Sequence, residues 1–346
     1  KGMWEMAANF VDVVGYQFEK VHTGVIAWLL DSKTSPLCPR EQLACISDLT
    51  SGFPDFSYLK NTNAIREYSF GRRRRIDLVL ELGLSDNDKA CVLIECKVDG
   101  DVHIDQLKNS FDAYRDKHPD VPSRLIVLAI GAGQYTLEHV LHEIEDEGFM
   151  AVDLGRAVQV FSGLSVGGAS TVYSDWIESL RAEQHRASQI DVRLAATESP
   201  WDASLSQYGY RTGFPVFYMY YDKLRQHLKR SAYRNWAIYS GRNNPVMNWS
   251  EGWVSVGLSD GSISLFWEFN ADSLCLKAKI EERSQEKWKR LRSDLIDLCA
   301  ASKTGGRKTK ASHGRHVTAY KWDFDFCKET PDDIASETIE IVSRIH

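Results

Sequence analysis

The chain has 346 residues, of which 43% are hydrophobic and 26% are charged, so disordered, collagen-like and low-complexity proteins are excluded and about two domains are expected. No apolar run approaches the ~20 residues that cross a bilayer, and residues 1–10 do not resemble a secretory signal, so we expect a cytoplasmic protein without membrane contacts. The formal net charge of −6 argues against nucleic-acid binding through global charge, but it is compatible with a local basic site.

The first predicted element is an amphipathic helix over residues 18–31, because apolar side chains recur there at the spacing of one helix face. Glu19 and His22 lie beside that apolar stripe, and such a histidine is more often a hydrogen-bonded helix residue than a metal ligand. Two prolines end the helix, and a second short helix is predicted over residues 40–49.

A β-hairpin is predicted next. Residues 75–82 alternate as a strand does, with Ile76, Leu78 and Leu80 on one face and Asp77, Val79 and Glu81 on the other. Residues 90–98 form a second strand, which is apolar on both faces until Glu95. Because one short polar turn joins the two strands, Asp77 and Glu95 are expected side by side at one end of the hairpin.

The remaining elements of the first domain follow from the same patterns: helix 103–117, buried strand 124–130, helix 136–147, strand 149–154 and helix 172–188. Tyr114 falls on the apolar face of the first of these helices, which indicates core packing. The order of elements predicts an α/β domain over residues 1–188, in which helices flank a mixed sheet.

The composition changes after this domain. Residues 189–205 are predicted to be a linker and residues 206–346 an α+β domain with an antiparallel sheet, three strands of which lie in residues 253–280. Tyr218, Tyr220 and Tyr221 favour a core over a base-stacking platform. Residues 302–316 are predicted to form a mobile basic loop, and the seven cysteines, without Cys-x-x-Cys spacing, predict reduced thiols.

Four positions of the hairpin carry groups suited to catalysis. Glu95 and Lys97 point to one face of their strand and Cys96 to the other, and Asp77 supplies a second carboxylate. Two carboxylates and the Cys96 backbone carbonyl offer oxygen ligands to Mg²⁺ or Mn²⁺, which activates water and stabilises phosphate charge. Lys97 would orient the attacking water or neutralise charge beside the scissile phosphate. The alternative is an exposed hairpin with ordinary surface charges.

The string Asp77…Glu95-Cys96-Lys97 resembles the motif of the PD-(D/E)xK nuclease superfamily, whose fold is restriction-endonuclease-like. The helix from Glu19 through His22-Thr23, the Arg66-Glu67 pair, the Arg-Arg-Ile-Asp at 74–77 and Gln106-Leu107 are similar to a bacterial branch of that superfamily. The similarity covers roughly residues 10–185. Position 110 is Ser where many relatives have Tyr, which departs from the branch.

This resemblance implies a metal-dependent deoxyribonuclease in which Asp77 and Glu95 bind Mg²⁺ or Mn²⁺ and Lys97 assists catalysis. It implies that Glu19 helps to organise the metal and that Gln106 supports the site or contacts DNA. Bacterial relatives of this kind often act in defence against foreign DNA.

The run Arg72, Arg73, Arg74 and Arg75 precedes the first carboxylate and is a candidate contact for a phosphate backbone. Its alternative role is pairing with nearby acidic side chains. RNA remains open as a substrate, and the C-terminal part would position DNA or mediate assembly with a second copy or a partner protein. A different class of function is a catalytically weak nucleic-acid-binding or assembly module on the same fold.

Overall fold

The computed structural model describes residues 8–55, 57–71, 75–84, 88–166, 170–195, 214–228, 236–240, 245–249, 254–258, 261–280, 282, 284–310 and 314–345. The chain divides into two compact units, Lys1–Ser188 and Gln189–His346. Within the described ranges, no helix combines the length and the apolar character that a membrane span requires.

The first unit contains one five-stranded sheet with helices on both faces. In chain order its elements are α1 (Phe10–Val14), α2 (Glu19–Leu30), α3 (Pro39–Leu49), β1 (Asn61–Ser69), β2 (Arg75–Gly83), β3 (Lys89–Lys97), α4 (Ile104–Lys117), β4 (Ser123–Ala129), α5 (Gly133–Asp146), β5 (Met150–Val152), α6 (Leu154–Ser162) and α7 (Thr171–Leu194). The strand order is β1-β2-β3-β4-β5. The first three strands are antiparallel, and β4 and β5 are added in parallel. The predicted mixed α/β architecture is confirmed.

Two hydrophobic cores lie on the two faces of this sheet. Side chains of α2, α3, α6 and α7 cover one face, and side chains of α4 and α5 cover the other. Tyr114 is buried in the second core, as its position on the apolar face of α4 predicts. Strand β3 is paired on both sides within the sheet, and its side chains enter both cores. Its carboxyl end therefore lies between the two layers of helices.

The predicted hairpin is present, but β2 does not alternate regularly. Leu78 pairs with Ile94 and Leu80 with Val92, and both leucines face the core that contains α2. Ile76, which the pattern places with them, instead packs in the opposite core together with Val79. The prediction for Ile76 was therefore wrong, because the strand changes its facing between residues 76 and 79.

The neighbouring strand β1 is irregular at the same level. Arg66 pairs with Leu78 and Tyr68 with Ile76, whereas Glu67 between them has a positive φ of 53°. A non-glycine residue in this region of backbone space is uncommon and costs free energy. The change of facing in β2 and the positive φ at Glu67 in β1 therefore occur at the same level of the sheet, directly beside Asp77.

Two features of the first unit differ from the sequence interpretation. Strand β1 and helix α6 were not predicted, although Asp153 is a good N-cap signal for α6 and its side chain accepts a hydrogen bond from the Arg156 backbone N–H at 2.7 Å. The closing helix α7 continues to Leu194, so residues 189–194 are helical rather than part of a linker. The rest of the predicted linker lies almost wholly outside the described residues.

The second unit is built around an antiparallel sheet. Its elements are α8 (Phe214–Leu228), β6 (Trp236–Ser240), β7 (Pro245–Trp249), β8 (Val254–Leu258), β9 (Gly261–Asn270), β10 (Ser273–Lys279), α9 (Gln285–Ala301), β11 (Arg307–Lys308), β12 (His316–Asp323) and α10 (Pro331–Ile345). The strand order is β11-β12-β10-β9-β7-β6, with β8 paired to β9. Strands β8 to β10 confirm the predicted three-strand segment. Tyr218, Tyr220 and Tyr221 are buried, so they are core residues.

Candidate active site

Two charged side chains stand together at the carboxyl end of β3. Lys97 Nζ lies 2.9 Å from Glu95 Oε1, and the side chains are only 12% and 6% exposed. Between them, the side chain of Cys96 is fully buried in the opposite core. This is the arrangement that strand alternation predicts, and it leaves the backbone of Cys96 beside the two charged groups.

Asp77 joins this pair through the backbone of β3. The β2–β3 register ends with Leu78 paired to Ile94, and the next residue, Asp77, adjoins Glu95 through a hydrogen bond between its backbone and the Glu95 carboxylate. The backbone N–H of Cys96 donates a hydrogen bond to Asp77 Oδ2 at 3.0 Å. One oxygen of the Asp77 carboxylate is therefore fixed against β3, and the expectation that the hairpin brings the two acidic residues together is met.

Glu19 reaches the same place from the other layer, as the first residue of α2. Burial raises the pKa of Glu19 to about 7 from an ordinary 4.5, and the Asp77 and Glu95 carboxylates add to the rise. The Lys97 ammonium and a hydrogen bond with the Val98 backbone oppose this rise in pKa. Three carboxylates and one ammonium therefore share a largely buried space.

The electrostatics of the β3 pair follow from the same burial. Burial raises the pKa of Glu95, and Asp77 contributes to the rise, although Lys97 works against it. For Lys97, burial alone would lower the pKa, but attraction to Glu95 and Glu19 outweighs it and the pKa is raised. The ammonium is thus held in its charged form, whereas burial, together with neighbouring carboxylates, makes the ionisation of Glu95 and Glu19 costly.

Gln106 lies in the first turn of α4 and also contacts Glu95. Its side-chain Nε2 donates a hydrogen bond to Glu95 Oε1 at 3.2 Å, the same oxygen that Lys97 approaches. Oxygen Oε1 of Glu95 is therefore held by two donors.

Arg75 marks the rim of the site. Its guanidinium lies 2.9 Å from Glu67 Oε1 and 3.8 Å from Asp77 Oδ1, and Lys20 Nζ lies 2.8 Å from the same Glu67 oxygen. The hydrogen bond from Lys20 lowers the pKa of Glu67, with help from Arg75. Arg75 thus pairs with acidic side chains, as its alternative role predicts, and its role as a phosphate contact stays a prediction. Arg72, Arg73 and Arg74 lie outside the described residues.

The loop after β4 packs against the residues that directly follow Lys97, and the sequence interpretation missed it. The Gly133 backbone N–H donates to the Val98 carbonyl at 2.7 Å, and the Ala132 N–H donates to Asp99 Oδ1 at 3.3 Å. A Cβ atom at Gly131 would lie 2.6 Å from the Val98 carbonyl oxygen. The Gly-x-Gly spacing directly after a buried strand is the sequence signal that indicates such a close approach.

His22 supports the site without belonging to it. The Trp176 indole N–H donates to His22 Nδ1 at 3.0 Å, and His22 Nε2 lies 2.7 Å from the Tyr16 carbonyl oxygen. Because an indole nitrogen can only donate, Nδ1 accepts and Nε2 carries the proton that is donated to Tyr16. The ring is fully buried, so it is a hydrogen-bonded helix histidine that fixes α2 one turn after Glu19.

The donor set of the site fits a hard divalent cation. Mg²⁺ is typically held by one or two carboxylates, with waters and substrate phosphate oxygens completing its shell. Asp77, Glu95 and Glu19 supply carboxylates. Burial disfavours the charged forms of Glu95 and Glu19, and a bound cation would offset that free-energy cost. These three carboxylates do not surround one point, however: within the part of the chain that the structure describes, no group of three or more His, Cys, Asp and Glu side chains is arranged so that it could hold a metal ion. The chemistry of the donors therefore fits a cation held by at most two of these carboxylates, with backbone, water and substrate oxygens as its other ligands.

Comparison of the whole chain with known proteins identifies no relative. Searches against protein-family models, curated proteins and solved structures found no match.

Proposed function

We propose that this chain is a Mg²⁺- or Mn²⁺-dependent nuclease of the PD-(D/E)xK type, which hydrolyses phosphodiester bonds of DNA. The observation that carries the proposal is the convergence of Glu19, Asp77, Glu95 and Lys97 at one end of β3, where a hydrophobic layer lies on each side of the sheet. A group of buried like charges is costly to maintain, and such costs are concentrated at functional sites.

Each side chain has a role that its surroundings favour. Asp77 and Glu95 would hold the metal with the Cys96 carbonyl, and Glu19 would help to organise the metal site from α2. The metal, when bound, supplies an activated water and charge stabilisation at the phosphate. Lys97 stays protonated beside Glu95 and can orient the nucleophile or stabilise negative charge on the scissile phosphate. Gln106 holds Glu95 in place.

The surroundings of the acidic group favour a phosphate backbone as the substrate. Arg75 stands 3.8 Å from Asp77, and Lys20 is 68% exposed at the same rim, so cations border the carboxylates. Such cations attract a polyanion, while the buried carboxylates would repel it in the absence of a metal. The proposal therefore includes Arg75 and the preceding Arg72, Arg73 and Arg74 as phosphate contacts.

The test is cleavage of plasmid, single-stranded DNA and RNA with Mg²⁺, Mn²⁺ or a chelator, for the wild type and for Asp77→Asn, Glu95→Gln and Lys97→Gln. Asn at position 77 retains an oxygen that can accept the Cys96 N–H, so this variant keeps the strand contact while it removes the charge. We expect each variant to lose at least about a hundredfold in rate, as is usual for groups that act directly on the reacting atoms.

Matched controls lie on the same two strands. Glu81→Gln removes a carboxylate from β2, and Lys89→Gln removes an exposed ammonium from the start of β3. Both should cleave as the wild type does. Equal rates for the wild type and all three site variants would refute the site assignment. Metal-independent binding of nucleic acid without cleavage would instead support the catalytically weak binding module.

A further inference from the structure

A second basic feature lies in the second unit, away from the sequence motif that carries the proposed chemistry. Between Asp297 and Asp323 the sequence has no acidic residue, but it has six lysines and arginines: Lys303, Arg307, Lys308, Lys310, Arg315 and Lys321. The whole chain has a net charge of −6, so this segment is strongly basic against an acidic average. Its described parts form β11, β12 and the turn between α9 and β11.

This basic segment is held in place by contacts with α9 and β12. The Trp288 indole N–H donates to the Gly314 carbonyl at 2.9 Å, and the Arg292 guanidinium donates to the Thr309 carbonyl. The Thr309 backbone N–H bonds the Ala319 carbonyl at 3.1 Å. The cations on either side of Thr309 therefore lie on backbone that is hydrogen-bonded to β12 and α9, whereas residues 302–316 were expected to form a mobile loop.

A close approach of glycine to tryptophan also fixes the turn that begins this surface. Gly306 has a φ of 78°, and a Cβ atom there would lie 2.6 Å from Trp322 Nε1. Only glycine combines this backbone conformation with this contact. The turn leads directly into Arg307 and Lys308, which form β11 at the edge of the sheet.

Pairing with Asp323 does not cancel the charge at this edge. Asp323 is 2.8 Å from both Arg307 and Lys321, and the hydrogen bond from Lys321 lowers the pKa of Asp323 well below its ordinary range. Two cations thus share one carboxylate. Lys308 and Lys310 are exposed, and among the described residues neither has a carboxylate within ion-pair distance.

We propose that the surface formed by Lys308, Lys310 and Lys289 binds the phosphate backbone of a nucleic acid. Lys289 lies one helical turn before Arg292, whose guanidinium contacts the backbone between the other two lysines. The inference rests on the proposed function only for the choice of nucleic acid as the polyanion. Regularly spaced phosphates suit a row of flexible ammonium groups, because each contact releases condensed counterions.

An anionic membrane is the less suitable partner. Peripheral membrane binding by a basic surface is strengthened by apolar side chains that enter the lipid. The large apolar side chains that are exposed in the described residues are Val13, Val14, Phe18, Tyr58, Leu141, Val172 and Val192. None of these lies between residues 284 and 323, so this surface offers charge without an apolar anchor.

The test measures binding of fluorescent single- and double-stranded DNA and RNA by anisotropy, in chelator, for Lys308→Gln/Lys310→Gln and the wild type. We expect the magnitude of the slope of log K against log salt to fall by about 2, and the Kd at about 0.1 M salt to rise more than tenfold. Lys33→Gln/Lys117→Gln removes the same charge from exposed positions of the first unit and should bind as the wild type does. Lys308→Arg/Lys310→Arg should retain binding.

Because the assay contains no metal, its outcome is independent of whether the chain cleaves DNA. An unchanged salt slope in the Lys308→Gln/Lys310→Gln variant would overturn the proposal, as would wild-type protein that binds no nucleic acid. Binding to vesicles that contain phosphatidylserine, with none to nucleic acid, would overturn it in favour of a lipid surface. Thermal melts of the variants check that both remain folded.

Discussion

Glu19→Gln is the substitution that tests the buried acidic group most directly. The amide has the size and hydrogen-bonding oxygen of the protonated acid but cannot ionise. Burial raises the pKa of Glu19 to about 7 in the folded chain, compared with 4.5 as its ordinary value. Protonation is therefore favoured by folding, and the stability that this provides is complete below the unfolded pKa and is lost as the pH rises through the folded pKa.

The magnitude follows from this difference in pKa. Each pKa unit corresponds to about 1.4 kcal/mol, so ionised Glu19 costs the metal-free protein at most about 3.5 kcal/mol above pH 7. At about pH 5 the same linkage costs less than about 1 kcal/mol, because this pH lies only slightly above the ordinary pKa of 4.5 that the carboxyl has in the unfolded chain. Glu19→Gln should thus be more stable than the wild type by an amount that grows between these pH values.

The assay is amide hydrogen exchange of the β3 peptides, followed by mass spectrometry in chelator. A chain of two compact units need not unfold in one step, and exchange reports the opening of this strand alone. The variant and the wild type are compared at the same pH, so intrinsic exchange rates cancel. Glu81→Gln, on the same sheet but hydrogen-bonded to Asn63, controls for the loss of one charge outside the acidic group.

Saturating Mg²⁺ provides a second arm of the same experiment. A cation among the carboxylates favours their ionised forms, so metal should protect the wild type at about pH 8 and protect Glu19→Gln less. A difference in stability between variant and wild type that stays constant from pH 5 to pH 8 would refute the assignment of a raised pKa to Glu19.

The two remaining predictions concern residues that support the site. His22→Ala removes the acceptor of the buried Trp176 indole N–H and the imidazole donor to the Tyr16 carbonyl, which should lower the free energy of opening of α2 by about 2–4 kcal/mol. Amide hydrogen exchange of the α2 peptides measures this change, and a loss below about 0.5 kcal/mol would contradict the hydrogen-bond assignment. Gly133→Ala places a Cβ 2.8 Å from the Gly100 carbonyl oxygen, so it should lower the free energy of unfolding by about 1–3 kcal/mol. Gly163→Ala, with its nearest atoms at 3.8 Å, should leave that free energy nearly unchanged. Equal effects of the two substitutions would contradict the close approach at Gly133.

The part of the site that could be predicted from residue patterns is the part that depends on local alternation. Glu95, Cys96 and Lys97 occur in a regular strand, so their facing follows from a period of two. Asp77 lies where β2 changes its facing, and the same irregularity led to the wrong face for Ile76. Periodicity contains no information about a backbone that takes positive φ at Glu67 in the neighbouring strand.

Other features could not be predicted from residue patterns along the chain. Glu19 was expected at the site only through family resemblance, because its approach to Lys97 depends on how α2 packs on the sheet. Strand β1 was missed because Ile65 and Tyr68 face the same core on either side of Glu67, which breaks the alternation that indicates a strand. Helix α7 continues past Ser188, so one helix contains residues that were predicted to close the domain and residues that were predicted to form the linker.

The distribution of the site residues along the chain has a consequence for the order of folding. Asp77, Glu95 and Lys97 lie within one hairpin, which needs only a short loop closure, whereas Glu19 is separated from Asp77 by most of α2, α3 and β1. Contacts of greater sequence separation generally carry a larger entropic cost. The hairpin, with its Lys97–Glu95 pair, can therefore form before α2 packs on the sheet and places Glu19 beside it. The docking of α2 is the step that brings the excess negative charge together, so acid and divalent cations should accelerate that step in particular.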